Sequence, residues 1–409
     1  MGAYAPGLER IRGLLAAMGH PHEAFESVHV AGTNGKGSTA SLLAAIATAS
    51  GRRTGLHTSP HLYRLHERLR IDGVPVPDDR LADMVTRYRE AFDTLRPSFF
   101  EAMVALSFLY FAEEHVDLAV VEVGLGGRLD ATNVLQPRLA LITAIGLDHT
   151  HILGETLPEI AREKAGIIKP GVPVLTFDQE PAAYAAIKAV AVAKAAPLHR
   201  VAEEVTVHEA VPSMHGLTLT VRTPVRLYEG LHVGLTGRHQ MENALLAIRA
   251  AELLSVEASA IAEGLRAVGR LSGLRGRLEV WSTAPLIVAD VAHNAEGLAA
   301  ALDFIRTARP QPGGRCYVLF GAMRDKNLPR LAALLAEAEA SVFPVILDTP
   351  RAFTHDELTA HLADAGVAVA EGGTVAEGVA WFQGRAAAAD TLLVAGSHQV
   401  VAQMPEHTP

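Results

Sequence analysis

Three short stretches hold residue types that can handle a phosphate and a metal ion. The first is "HVAGTNGKGST", residues 29–39. Gly32, Gly35 and Gly37 let backbone N–H groups turn toward an anion. Thr33 and Asn34 lie between them, Lys36 adds a mobile positive charge and Ser38 a hydroxyl. The spacing departs from G-x-x-x-x-G-K-[ST], because Gly37 takes the hydroxyl position and Ser38 comes one later. The lysine is informative, since the chain has six lysines against 30 arginines. Nucleotide phosphate is the expected ligand. The second stretch, "DLAVVEVGLGGRLDATN", sets Glu122 near the end of an apolar run. An ionised carboxylate there needs a cation or several donors. A Mg²⁺ shared with ATP phosphates would supply one. Asp130 and Asn133 read as loop hydrogen-bonders. The third, "ITAIGLDHTHILG", places Asp148 and His149 after another apolar run. Neutral imidazole can ligate a metal, although Mg²⁺ prefers oxygen and a loop hydrogen bond is the plainer reading.

Elements must bring these loops together. "SVHVAG" (27–32), "DLAVVEVG" (117–124), "LALITAIG" (139–146) and "GVPVLTF" (171–177) read as buried strands. Helical patterns over 38–51, 99–115 and 156–166 separate them. Buried strands alternating with helices imply a parallel sheet covered on both faces. Ligands of such sheets bind outside the carboxyl ends of the strands. After about residue 200, "GLTLTVRT" and "RLYEGLHVGL" predict an antiparallel excursion, followed by a helix over 240–254. The Gly- and Arg-rich stretch 269–277 reads as a linker. Alternation of strand and helix then restarts. The expected fold is therefore α/β: a P-loop parallel-sheet ATPase domain over 1–277, hinged at about 269–277, then a smaller Rossmann-like α/β domain over 278–409.

The length of 409 residues suits two domains. A net charge of −9 without a block of like charges speaks against nucleic acid or an acidic membrane surface as partner. Cys316 is the single cysteine, so no disulfide can form within the chain. No signal peptide and no membrane span are expected, which together predict a cytoplasmic protein.

In chain order, "AGTNGKGS", "TSPHL", "VEVGLGGRLDATN", "LDHTHILGETLPEIAREKAGIIKPG", "GRHQMENALLA", "DVAHN" and "GAMRDKN" resemble the folylpolyglutamate synthase/dihydrofolate synthase family of the Mur ligase superfamily. The resemblance implies an ATP-dependent amide ligase. A pteroate or folate carboxylate would become an acyl phosphate, L-glutamate would attack it, and ADP and phosphate would leave. It implies that Ser59 and Glu122 hold a first Mg²⁺, and that Glu122, His149 and Lys164 hold a second. Ser59, Pro60 and His61 of "TSPHL" would also meet the substrate. Asn243 and Arg277 would join residues 32–38 as nucleotide contacts. Asp290 and His293 of "DVAHN" would act in the second domain, with Asp290 also touching ATP. From the residues alone, Asp290 ends a strand and Asn294 caps a helix. The family implies a monomer. The sequence departs from the family pattern at His66, Val104, His398 and Gln399.

Two alternatives stand beside this reading. One is a Mur-type ligase acting on another carboxylate; the 31 residues before Gly32 are too few for the UDP-binding domain expected there. The other is a nucleotide-binding module without ligase chemistry.

"EIAREKAGIIKP" holds two of the six lysines. Lys164 falls in the last turn of a helix, where a cation complements the dipole by about 0.3–1 kcal/mol. Arginine would serve that purpose equally well. A lysine amine can also take up CO₂ to become an anionic carbamate, which arginine cannot do. The family implies that Lys164 is so modified, as a metal ligand and catalytic group beside Lys36. Lys169 reads as part of a solvated turn.

Overall fold

The computed structural model describes residues 7–308 and 313–405, so the outer ends of the two expected domains lie outside it. The chain forms two compact units. The first comprises residues up to Val211, Thr218–Gly234 and Gln240–Leu274; the second comprises Pro212–Leu217, Leu235–His239 and the chain from Arg275. The stretch read as a linker is helical over Val268–Ser272, where Val268 and Ser272 are buried. Its glycines and arginines hid a short helix held by burial rather than by a strong periodic pattern.

The first unit is built on eight strands: β1 Glu26–Ala31, β2 Thr54–His57, β3 Leu69–Ile71, β4 Val74–Pro75, β5 Leu118–Glu122, β6 Leu139–Ile142, β7 Val174–Thr176 and β8 Leu198–Arg200. Their order is β4-β3-β2-β5-β1-β6-β7-β8. Strands β2, β5, β1, β6, β7 and β8 pair in parallel, and β3 and β4 add an antiparallel edge. Four adjacent parallel strands therefore end on one edge. From them issue the loops that begin at Thr58, Val123, Gly32 and Thr143.

The helix Lys36–Ala49 begins two residues before the expected start, at Lys36 itself. Gly35 precedes it in the left-handed region, with φ +85°. A Cβ on Gly35 would also lie 2.3 Å from Asn243 Oδ1, so only glycine fits. Residues Gly37–Ala47 of this helix are all buried, as its mostly apolar and small side chains allow. Helix Phe99–Glu113 starts at Ser98, which exchanges hydrogen bonds with Glu101. Helix Leu157–Ala165 starts at Thr156, which pairs with Glu159 in the same way. Such caps are typically worth about 1 kcal/mol.

The antiparallel excursion forms a three-stranded sheet of β9 Thr206–Ser213, β10 Gly216–Arg222 and β11 Leu227–Val233. The second unit's sheet contains β12 Glu279–Thr283, β13 Leu286–Ala289, β14 Cys316–Phe320, β15 Ser341–Pro344, β16 Ala368–Val369 and β17 Thr391–Ala395. Its order is β12-β13-β17-β14-β15-β16, parallel except for β12. Its core runs through Leu286, Val288, Val318, Phe320, Val342 and Leu393.

Candidate functional site

The phosphate loop is tied to the end of β6. Thr33 N and Asn34 N both donate to Ala144 O, at 2.8 and 3.3 Å. Thr143 Oγ1 donates to Asn34 O at 2.7 Å, and Thr33 Oγ1 meets Gly146 at both its oxygen and its nitrogen. Asn243, on the helix Gln240–Leu253, accepts from Thr39 Oγ1 at 3.2 Å and donates to Gln240 Oε1 at 2.9 Å. The sequence-assigned loop residues and Asn243 thus meet within one unit. Ser38 is buried in the first turn of the helix.

Two lysines converge on one carbonyl. Lys36 Nζ donates to Gly32 O at 3.1 Å and to Thr33 O at 3.0 Å. Lys164 Nζ donates to Gly32 O at 2.7 Å from the opposite side of the sequence. Lys164 is only 5% exposed. Burial, and then the charge of Lys36, lower its pKa to about 7, against the pull of Asp148 and Asp130. Lys164 lies in the last turn of the helix Leu157–Ala165, as the dipole reading requires, but is buried there rather than solvated.

Glu122 ends β5 and is buried. Its Oε2 accepts from Ser59 N at 3.0 Å, which joins the β5 loop to the β2 loop. His149 opens the short helix Thr150–Leu153 in a left-handed conformation, φ 51°. Its ring Nε2 lies 3.9 Å from Asp148 Oδ2, and its backbone N–H donates to Asp148 Oδ1 at 2.8 Å.

Asp130 and Asn133 hold the loop after β5. Asp130 accepts from Leu125 N, Thr132 N and Thr132 Oγ1. Burial raises its pKa more than these donors lower it. Since the Thr132 hydroxyl donates to Asp130, His29 Nε2, 2.8 Å away, must donate to Thr132 Oγ1. Asn133 Nδ2 donates to Arg128 O and Gly166 O. Lys169 corrects the expectation of a solvated turn: it is half-buried, and its Nζ donates to Asn133 O at 2.8 Å. Burial lowers its pKa to about 8. The buried Ile167 and Ile168 anchor the chain before it.

Sequence reasoning missed a cavity of about 350 Å³ beside Ser59 and Pro60. Arg68, Phe99, Phe100, Leu125, Leu129 and Asp130 line it among others. One signal was readable: the Ser98–Glu101 box marks a helix start and puts Phe99 and Phe100 on its first turn. His61 stands next to this wall, accepting from Arg68 Nε at 2.9 Å.

In the second unit Asp290 follows β13. Its carboxylate accepts from Leu278 N and Ala292 N, both at 2.8 Å. Asn294 Oδ1 accepts from Gly297 N, capping the helix Ala295–Ala308. His293 Nδ1 lies 2.9 Å from Val291 O, and its ring stands 5.7 Å from that of His398. Arg277 Nη1 donates to Gly276 O at 3.2 Å.

Among the described residues no helix is long and apolar enough to cross a membrane. Residues 30–251 match the family model of the Mur ligase middle domain, and residues 276–398 that of the Mur ligase glutamate ligase domain. The chain is 38% identical over 358 residues to the dihydrofolate synthase/folylpolyglutamate synthase of Bacillus subtilis, covering 85% of this chain and 82% of that protein. It is 34% identical over 409 residues to the protein of that name from Escherichia coli, covering 98% and 90%. Mycobacterium tuberculosis folylpolyglutamate synthase complexed with ADP superposes with a TM-score of 0.91 at 30% identity, covering 98% of this chain and 94% of that one. E. coli FolC in complex with DHPP and ADP gives 0.88 at 31%, covering 98% and 92%. The loops at the carboxyl edge of the first sheet, the two domain matches and relatives alike over most of their length place this chain in the folylpolyglutamate/dihydrofolate synthase family of ATP-dependent glutamate ligases.

Proposed function

We propose that this protein uses ATP to join L-glutamate to a folate-pathway carboxylic acid: dihydropteroate, a tetrahydrofolate polyglutamate, or both. A carboxylate oxygen of the acceptor attacks the γ-phosphorus, and the bond to the ADP oxygen breaks. The amine of glutamate then attacks the acyl carbon, phosphate leaves, and the amine loses a proton to solvent. Such transfer needs positioning and charge neutralisation more than covalent help. The observation that carries the reading is the phosphate loop with Lys36 and Lys164 gathered on Gly32 O.

Residues 32–38 and Asn243 are assigned to ATP. Ser59, Pro60 and His61 are assigned to the acceptor. The donor set also fits Mg²⁺. Glu122 and Ser59 offer the hard oxygens that ion prefers. The ammonium form of Lys164 is disfavoured by burial and by Lys36, leaving an amine open to carbamate formation. Ser59 and Glu122 would hold one ion, and Glu122, His149 and carbamylated Lys164 a second. When bound, the ions would neutralise charge on the transferring phosphoryl group. The roles of Arg277, Asp290 and His293 at nucleotide and amine rest on the family resemblance, since the Asp290 carboxylate here braces two backbone N–H groups.

ADP release, measured with dihydropteroate and with a reduced folate, is expected to depend on glutamate and on the pteridine acid. Equal rates without either would end the ligase reading.

A further inference from the structure

The cavity beside Ser59 and Pro60 has aromatic and apolar walls in Pro60, Phe99, Phe100, Leu125 and Leu129. Its volume of about 350 Å³ is within the range of small-molecule sites. Two carboxylates also line it, Glu101 and Asp130. Both are committed to the protein. Glu101 accepts from Ser98 N and Ser98 Oγ at 2.7 Å and from Arg10 Nε at 3.2 Å. Asp130 accepts from Leu125 N, Thr132 N and Thr132 Oγ1.

That leaves one basic side chain among the described lining residues, Arg68, which is 8% exposed. Its Nε–H is committed to His61 Nδ1 at 2.9 Å, and its guanidinium carbon stands 5.2 Å from the centre of the Phe99 ring. These contacts fix the plane of the fork. The two Nη groups are then the part of Arg68 that a ligand can meet. A rigid, poorly hydrated guanidinium set against aromatic walls matches an aromatic acid, with the carboxylate on the fork and the rings on the phenylalanines. Glu122 lies close enough to influence the Arg68 charge. Ser59, whose N–H donates to Glu122, lines the same cavity as Arg68.

We infer that Arg68, held in place by His61, is the residue of this cavity that grips the acceptor's carboxylate. The inference deepens the ligase reading and rests on it.

The test compares pteroic acid with its methyl ester, whose carboxyl carries no charge, by quenching of their fluorescence on binding. The wild-type protein is expected to bind the acid about 30- to 100-fold more tightly than the ester, the scale of a hydrogen-bonded charge. Arg68→Met should erase that preference while leaving ester affinity within about threefold. Arg68→Lys keeps the cation but not the fork, and should retain a reduced preference of about tenfold; it also serves if Arg68→Met does not fold. An undiminished preference in either variant, or no preference in the wild type, overturns the assignment of Arg68. Loss of glutamate-dependent ADP release in the wild type is a different result, and overturns the ligase reading itself.

Discussion

Lys164 occupies a position that only a lysine can use as proposed. Its amine is buried against Gly32 O, and burial together with Lys36 weakens its hold on a proton. Lys164→Ala should abolish glutamate-dependent ADP release, and short carboxylic acids should partly restore it by standing in for the carbamate. Lys164→Arg should stay inactive, because guanidinium remains protonated; wild-type-like turnover in that variant would sink the carbamate. At this scale much was legible, since chain-wide preference for arginine made each lysine stand out. Lys169 was not legible. Its burial comes from a turn more than thirty residues earlier folding back to present Asn133 O, and no local pattern records that. Arg68 was hidden for a related reason: the partners that mark it, His61 and Phe99, lie on separate segments.

The helix Leu157–Ala165 is placed by the loop after β5 as much as by its own cap. Gly127 lies against that helix so closely that a Cβ would stand 2.7 Å from Glu163 O and 2.8 Å from Lys164 O. Gly127→Ala must therefore push the backbone that carries Lys164. The expected cost is about 1–3 kcal/mol of stability, with ADP release reduced about tenfold or more in protein that still folds. Unfolding in urea and initial rates on the same preparation check both parts. Unchanged rates would mean that the helix is held elsewhere. Strands and long helices were readable from their apolar periods. Helix Val268–Ser272 was not, because glycine and arginine dominate its surroundings and burial supplied what propensity did not.

The sheet of the first unit also carries a pH dependence. Burial holds His29 neutral, with its pKa lowered to about 3, whereas an unfolded histidine titrates near 6.5. Above pH 6.5 both states are neutral and His29 adds no slope. Below it the unfolded chain gains a proton that the folded chain refuses, so stability falls by up to about 1.4 kcal/mol per pH unit, down to about pH 3. His29→Asn should be less stable at pH 7 through the altered contact to Thr132, and the gap to wild type should narrow between pH 6.5 and 5. Parallel urea curves at both pH values would refute the assignment. The α/β architecture was legible in the alternation of apolar runs, but the order of the strands was not, since it depends on pairings distant in sequence. That order has a consequence for synthesis. β1 lies between β5 and β6, yet a nascent chain displays Glu26–Ala31, five of whose six residues end up buried, long before Leu118–Glu122 and Leu139–Ile142 have been translated. In that interval the strand has no neighbour on either side, and this stretch of the growing chain is the one that most needs shelter from other chains.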